Sequence, residues 1–420
     1  MIIGIIGSGG REHALCSKIL ESNKVKKVYC FPGNAGTSSI ATNVNIQLED
    51  FNKIKDFIIK KKKNFIVIGP EKPLVEGIVD YFEKFGIKVF GPKKLASQLE
   101  GSKIFTKKLC EKYNIPTAKF GTFKNIEKAK FFLKKCQFPI VVKADGLAAG
   151  KGVYICENLK KSTEAVKEIF NGKFGEAKNI LIEEFLDGEE MSYFIITDGK
   201  TIKKFQTAQD HKRVSEGDKG KNTGGMGSYS PSTLINSKLD NKIMKKIIIP
   251  TIKGLKKTGA LYKGFLYAGL MIVNNEPYLI EYNVRMGDPE CQTILPRLKT
   301  DIVEILLACC NDNLKNISIK WYKQKSLCIV LCSKGYPDKF KNNLKIKNLD
   351  KIKLKRNELI FHAGTISKDN FIYSNGGRVL NFVVSSSSFK KSRKKALQLI
   401  KKLNWKNGYH RKDIAFRVIK

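Results

Sequence analysis

The chain has 420 residues, 42% of them hydrophobic, enough for sizeable buried cores and for on the order of two to four domains. No apolar run approaches the roughly 20 residues of a membrane span, and the first apolar run, residues 2–6, is too short and too poorly flanked for a secretory signal, so a cytoplasmic protein without membrane association is expected. The formal charge of +39 comes from 78 basic and 39 acidic residues, but only nine of the 78 are Arg, and abundant Lys, Asn and Ile match the usage of AT-rich codons, so the surplus argues for compositional drift and against nucleic-acid binding.

Residues 2–6 read as a buried strand, followed by the turn Gly7, Ser8, Gly9, Gly10 and a helix over 12–20. Further strands at 25–31 and 65–69, alternating with helices at 50–62 and 74–85, predict a parallel α/β sheet over the first hundred residues, closed at Gly91 and Pro92. Residues 138–156 and 180–208 read as antiparallel hairpins around a helix. A polar, glycine-rich loop over 215–228 precedes a long helix near 238–258, strands at 264–273 and 277–283, and an apolar helix at 301–310. A last mixed unit starts near Lys323 and closes with a helix around 389–403. Ten cysteines show no C-x-x-C spacing, and Cys309 and Cys310 are adjacent, which speaks for free thiols and against a zinc knuckle.

The first turn places flexible backbone at a helix N-terminus, where N–H groups favour an anion. A dinucleotide fingerprint is excluded because its third glycine would fall on Glu12. The turn is thus either anion-binding or structural. The segment Lys143, Ala144, Asp145, Gly146, Leu147, Ala148, Ala149, Gly150, Lys151, Gly152 joins two apparent strands and combines small residues with two lysines, as a phosphate-binding loop requires. It is not a P-loop, since no Ser or Thr follows Lys151. Glu183 and Glu184, with Leu186, Glu189 and Glu190, set acids beside apolar residues, suited to a base edge and ribose hydroxyls.

Strand alternation puts Glu281, Asn283 and Arg285 on one face, just before the Gly287, Asp288, Pro289 turn. A carboxylate and an amide oxygen suit Mg2+ shared with nucleotide phosphates, and Arg285 could hold a carboxylate or phosphate bidentately; a salt-bridge network is the competing explanation. Asp210, His211, Lys212 and Arg213, followed by Asn222, Thr223, Gly224, Gly225, Met226 and Gly227, pair a charged element with a loop able to offer N–H groups to a sugar phosphate. The four histidines have no partner at ligand spacing, and no nucleophile triad is visible, so electrostatic phosphoryl transfer is expected. Arg11, Arg213, Arg285 and Arg378 lie within glycine-flanked motifs, which marks them for bidentate tasks that Lys cannot perform.

In order along the chain, these motifs resemble those of the phosphoribosylamine-glycine ligases of the ATP-grasp superfamily, as do Gly33 to Thr37, Gly69 to Glu71, Phe361 to Thr365, Gly376 to Leu380 and Tyr409 to Asp413. The resemblance covers essentially the whole chain. It implies a Rossmann-like N-terminal domain over 1–102, a two-part ATP-grasp domain over 103–315 with a mobile lid at about 118–190, and a small mixed C-terminal domain over 320–420. It further implies ligation of glycine to 5-phosphoribosylamine with ATP and Mg2+ or Mn2+, through glycyl phosphate, by a monomer. By similarity, Lys103 and Lys143 contact ATP, Glu183, Leu186 and Glu190 surround adenine and ribose, and Glu281 and Asn283 ligate the metal. The sugar phosphate falls near Gly9, Asp210, Lys212, Arg213 and the 222–227 loop, with Arg285 and Asp288 positioning acceptor and glycine. The superfamily's frequent second metal-binding acid is missing from the preceding strand, where Gly269, Leu270 and Met271 stand.

Overall fold

The computed structural model describes residues 1–61, 64–147, 152–173, 175 and 179–419. Its first sheet is wholly parallel, in the order β3-β2-β1-β4-β5, from β1 (Ile2–Gly7), β2 (Lys27–Pro32), β3 (Thr42–Asn43), β4 (Asn64–Ile68) and β5 (Lys88–Phe90). The central strand β1 is buried through Ile3, Ile5 and Ile6, as expected of a strand covered on both faces. The strand order reverses between β1 and β4, so the carboxyl ends of these two strands open a crevice of the kind where doubly wound sheets place ligands. The helix expected at 74–85 is two short ones, Glu71–Glu76 and Ile78–Glu83, because Gly77 turns left-handed at φ +98°.

A second sheet, in the order β6-β9-β7-β8, is antiparallel: β6 (Phe120–Phe123), β7 (Ile140–Ala144), β8 (Val153–Cys156) and β9 (Ile180–Glu184). Helices Ile126–Leu133 and Leu159–Phe170 cover it and share with it a separate apolar core built around Val142, Val166 and Ile182.

The largest sheet has nine strands: β10 (Glu189–Thr197), β11 (Ile202–Asp210), β14 (Gly227–Ser230), β15 (Gly264–Val273), β16 (Glu276–Asn283), β17 (Lys325–Ser333), β18 (Glu358–His362), β21 (Arg378–Ser386) and β22 (Gly408–Tyr409). Two hairpins stand outside it, β12 (Arg213–Ser215) with β13 (Lys219–Asn222), and β19 (Thr365–Lys368) with β20 (Phe371–Ser374). The main path runs β16-β15-β10-β11-β14-β17-β21-β18, with β22 on β17. The unit that starts near Lys323 is therefore joined edge to edge with the preceding one. The link is β14, whose first two residues fall in the stretch expected to be loop. The long helix near 238–258 is observed as Ser237–Ile243, a π-helical turn Met244–Ile248, and Ile249–Lys257. All ten cysteines are free thiols. Among the described residues no helix is long and apolar enough to cross a membrane.

His13, on the first helix (Gly10–Leu20), docks the parallel domain against β18. Its Nδ1 accepts the His362 N–H at 2.8 Å, and its ring meets Phe361 edge-on at 5.5 Å. Gly36 leaves it room, since a Cβ there would lie 2.3 Å from the imidazole. Burial, then the neighbouring His362, lowers the His13 pKa from 6.5 to about 3, and burial lowers that of His362 to about 4. The folded chain keeps both rings neutral while the unfolded chain takes up protons below about pH 6.5. Stability is therefore full above that value and falls as the pH drops toward 4, by about 1.4 kcal/mol per pH unit for each ring. Urea unfolding between pH 7 and 5 should show a shallower decline for His13→Gln than for the parent chain; equal slopes would refute this account of the interface.

Candidate active site

A cavity of about 640 Å³ lies where the three sheets meet. The parallel domain contributes Arg11, Pro70 and Glu71 from the carboxyl ends of β1 and β4, the small sheet contributes Lys143 and Glu183, and the large sheet contributes Asp210, Glu281 and Asn283. Of the candidate residues, Lys103, Gly152, Glu184, Leu186, Glu190, Lys212, Arg213, Asn222, Thr223, Gly224, Arg285 and Asp288 also line it. Gly150 and Lys151 lie outside the described residues. Gly9, Gly225, Met226 and Gly227 are not among the residues that line it.

On the small-sheet side, the Glu183 carboxylate is buried between two ammonium groups, Lys143 at 2.7 Å and Lys107 at 3.0 Å. Lys107 follows Lys103 by four residues on helix Lys103–Lys112, so both face the cavity. That spacing could have revealed it in the sequence. Burial lowers the pKa of Lys107 and of Lys103, against the pull of nearby carboxylates. The Lys103 ammonium donates to the Gly146 carbonyl at 2.9 Å, which ties its helix to the turn after β7. Glu184, an exposed lining residue, accepts the Lys119 N–H at 2.9 Å.

On the large-sheet side, Glu281, Asn283 and Arg285 line the cavity while Val284 and Met286 are buried outside its lining; Tyr282, although buried, also touches the cavity. Lys212 lies 3.1 Å from Glu190 and 3.6 Å from Glu281. Burial alone would lower its pKa, but these carboxylates raise it well above the ordinary lysine value. Burial opposes ionisation of Glu281, yet Lys212, Lys143 and Lys103 together hold its pKa low, so it stays charged. Gly269 pairs directly with Glu281, and a Cβ there would lie 3.1 Å from the Glu281 Cγ, so the small residue makes room for this carboxylate. The edge offers oxygen donors only, a carboxylate and an amide, which fits a hard divalent cation that takes its remaining ligands from phosphate and water.

Asp210 is the most unusual group. Its Oδ1 is buried without a hydrogen-bond partner, and burial, followed by the nearby Glu290 carboxylate, raises its pKa well above the carboxylate range. Glu290 is itself buried and accepts from the Ser192 hydroxyl at 2.9 Å.

Three readings of the sequence are narrowed by the structure. Arg285 is not free to clamp a ligand with its whole fork, because its Nε donates to Glu71 at 3.1 Å, its Nη2 to Glu100 at 2.5 Å and its Nη1 to the Met286 carbonyl at 3.1 Å. The 222–227 loop does not offer a row of amides: those of Thr223 and Met226 donate to the Lys212 and His211 carbonyls, that of Gly224 to the Tyr336 hydroxyl, and that of Gly225 to the Thr223 hydroxyl. The Gly7 to Gly10 turn serves the protein's own carboxylate. Gly9 N–H donates to Glu12 at 2.6 Å, and a Cβ at Gly7, Gly9 or Gly69 would fall within 2.7 Å of the Glu12 side chain. Asp288 accepts the next available amide, Arg11 N–H, at 3.3 Å. Arg378 reaches across from β21 to the Gly224 carbonyl and, at 2.7 Å, to the Asp288 carbonyl.

Two antiparallel sheets closing on a cavity, lysines on one wall and a carboxylate-amide edge on the other, with a Rossmann-like sheet at the mouth, define an ATP-grasp enzyme. Family models of phosphoribosylglycinamide synthetase match the chain in three parts, the N domain over residues 1–100, the ATP-grasp (A) domain over 101–291 and the C domain over 326–417. The chain is 45% identical over 417 residues to the phosphoribosylamine-glycine ligase of Caldanaerobacter subterraneus, covering 99% of each, and 43% identical over 420 residues to that of Brucella melitensis, covering 100% of this chain and 98% of the relative. The crystal structure of the Thermotoga maritima phosphoribosylamine-glycine ligase superposes with a TM-score of 0.85 at 34% identity, over 99% of this chain and 100% of that one. The biotin carboxylase domain of Hydrogenobacter thermophilus 2-oxoglutarate carboxylase shares the fold, with a TM-score of 0.72 at 16% identity, over 95% and 89% of the two chains. This chain belongs to the phosphoribosylamine-glycine ligase family and is an ATP-dependent ligase of purine biosynthesis.

Lys107→Met would leave the buried Glu183 carboxylate with one of its two cations, and loss of a buried ionic partner costs about 3 kcal/mol. A urea midpoint equal to that of the parent chain would show that Lys143 alone neutralises Glu183.

Proposed function

We propose that the cavity binds Mg-ATP, glycine and 5-phosphoribosylamine together and joins the last two in two steps. The observation that carries this reading is the arrangement of one 640 Å³ cavity, with Lys103, Lys107 and Lys143 on the nucleotide side and the unpartnered Asp210 beside Lys212 and Arg213 on the other. Lys103 and Lys143 meet ATP phosphates, with Gly150, Lys151 and Gly152 as further nucleotide-binding residues. Glu183, Glu184, Leu186 and Glu190 surround adenine and ribose. Lys212, Arg213, Asn222 and Thr223 take the sugar phosphate, with Gly224, Gly225, Met226 and Gly227 fixing the course of the loop and Gly9 standing behind Asp288 at the parallel-sheet edge.

In the first step a glycine carboxylate oxygen attacks the γ-phosphorus, the bond to ADP breaks, and glycyl phosphate forms. Preorganised lysines offset the charge that spreads over the transferring group. Glu281 and Asn283 would hold Mg2+ or Mn2+, which would supply charge neutralisation for the nucleotide phosphates. In the second step the amine of phosphoribosylamine attacks the glycyl carbonyl carbon, phosphate departs, and the amine proton passes to Asp210. Burial has already raised the proton affinity of that carboxylate. Arg285, held by Glu71 and Glu100, and Asp288, held by Arg11 and Gln292, fix the spacing of glycine and acceptor.

Exclusion of water matters, because an acyl phosphate hydrolyses. The separate core of the small sheet supports its movement as a lid over about 118–190, within an ATP-grasp domain of 103–315 that follows an N-terminal domain of 1–102 and precedes a C-terminal domain of 320–420. One chain supplies every wall of the cavity, which supports a monomer as the working unit.

Purified protein should release ADP only when Mg-ATP, glycine and fresh phosphoribosylamine are all present. Asn283→Ala should lower kcat by about 100-fold or more, as expected for loss of charge stabilisation in phosphoryl transfer. Release of ADP with a different amine would move the assignment to a sister ligase.

A further inference from the structure

The hairpin of β12 and β13 pairs, among the described residues, with no other strand, yet Lys212, Arg213, Asn222 and Thr223, at or beside its two ends, line the cavity. Its placement comes from residues 409–417. The Tyr409 hydroxyl donates to the Val214 carbonyl at 2.9 Å, and Arg411 Nη1 to the Arg213 carbonyl at 3.0 Å. The Lys412 N–H donates to Glu216 at 3.1 Å, and the Gly217 N–H to Asp413 at 2.8 Å. The Ala415 N–H donates to His211 Nε2 at 2.9 Å, so the other imidazole nitrogen carries the proton that faces Asp218 at 3.2 Å. Arg417 closes the series on Asp218 at 2.8 Å. Six residues between 211 and 218 are thus gripped by one short segment.

Arg411 is the centre of this grip. It is 0% exposed, the largest of the fully buried side chains, and its guanidinium spans two carboxylates: Nε and Nη2 meet Asp413 at 2.8 and 2.7 Å, and Nη1 meets Asp218 at 2.6 Å. A planar fork can satisfy these acceptors and the Arg213 carbonyl at once, whereas a lysine ammonium cannot reach all of them. Asp218, at φ +53°, forms the turn of the hairpin, so the fork holds that turn in place.

We propose that residues 409–417 are a strap that positions the Lys212 to Thr223 hairpin for the sugar-phosphate substrate, with Arg411 as its positioning residue. The inference rests on the reading that this hairpin meets phosphoribosylamine. It assigns to this segment, whose Arg417 also lines the cavity, an effect exerted through the hairpin on one substrate. Misplacement of binding groups by a fraction of an ångström to 1 Å costs on the order of ten- to a hundredfold.

The test uses the full chain with Arg411→Lys, Tyr409→Phe and, as a control on the hairpin itself, Arg213→Met. Steady-state kinetics are run against each of the three substrates, and amide hydrogen exchange is followed over residues 211–222. Arg411→Lys should raise KM for phosphoribosylamine roughly tenfold or more, leave KM for ATP and glycine within about twofold, and speed exchange of the Gly217 amide; Tyr409→Phe should do the same more weakly. If Arg213→Met raises KM for phosphoribosylamine while both strap variants leave it unchanged, the strap is overturned and the substrate reading stands. If all three KM values rise together, the segment is a general stabiliser and the inference fails. An unchanged KM in Arg213→Met overturns both the strap and the reading beneath it.

Discussion

Hydrogen bonds to the four residues Gly227–Ser230 hold the two halves of the large sheet together, and most of the site hangs on them. On one side Gln209 and Asp210 pair with Tyr229 and Ser228; on the other, all four residues pair with β17. Gly227 is required by proximity, since a Cβ would come within 2.5 Å of the Cys328 carbonyl. The Ser228 hydroxyl donates to the Pro289 carbonyl at 3.0 Å, so the same short strand fixes the turn that carries Asp288 and Glu290. Asp210 at the end of β11, the loop before Gly227 and the acid turn after β16 are in this way placed relative to one another by a single ladder. A strand so short has little cooperativity of its own. It persists because long strands flank it on both sides.

Charge is the second constraint. Four cations of the cavity wall share nearby carboxylates, Glu183 for Lys143 and Lys107, Glu190 and Glu281 for Lys212, and Glu71 and Glu100 for Arg285, whereas Lys103 and Arg213 meet the Gly146 and Gly220 carbonyls. These buried groups are costly to leave unpaired, so their pairing sets their geometry before any polyanion arrives. The surplus of +39 is thus not concentrated at the site. Much of it lies on exposed lysines, some facing single acids such as Glu127 or Glu157, in pairs worth little in water. This distribution agrees with drift toward lysine on solvated faces and with selection for balance inside the cavity.

Local pattern made much of this legible. Apolar runs marked β1 and β4, two-residue alternation placed Glu281, Asn283 and Arg285 on one face, and helical spacing delimited Phe389–Leu403. What stayed hidden depends on partners distant in sequence. Glu71 and Glu100 lie 214 and 185 residues from the arginine they hold, and although Gly69 to Glu71 resembles a family motif, nothing local marks either as a partner of Arg285. The Gly7 to Gly10 turn stayed open between an anion-binding and a structural role because glycine pattern alone cannot show that Glu12 occupies the space. Likewise, β14 has the composition of a turn, and only its neighbours make it a strand.

The scarce arginines bring these strands of argument together. Four of the nine stood out in the sequence as candidates for bidentate tasks, and the structure directs them chiefly at the protein itself: Arg11 to Glu12 and the Met286 carbonyl, Arg285 to Glu71 and Glu100, Arg378 to Gly224 and Asp288, and Arg213 to the Gly220 carbonyl at 2.8 Å. Arg411, which local pattern did not single out, makes the most complete fork of all. A guanidinium bridges acceptors at fixed spacing and keeps its charge when buried, whereas an ammonium on a flexible stem does neither as well. A chain whose basic residues have otherwise drifted to lysine therefore retains arginine where separate segments must be held in register around the cavity, while Lys103, Lys107, Lys143 and Lys212 line the cavity itself.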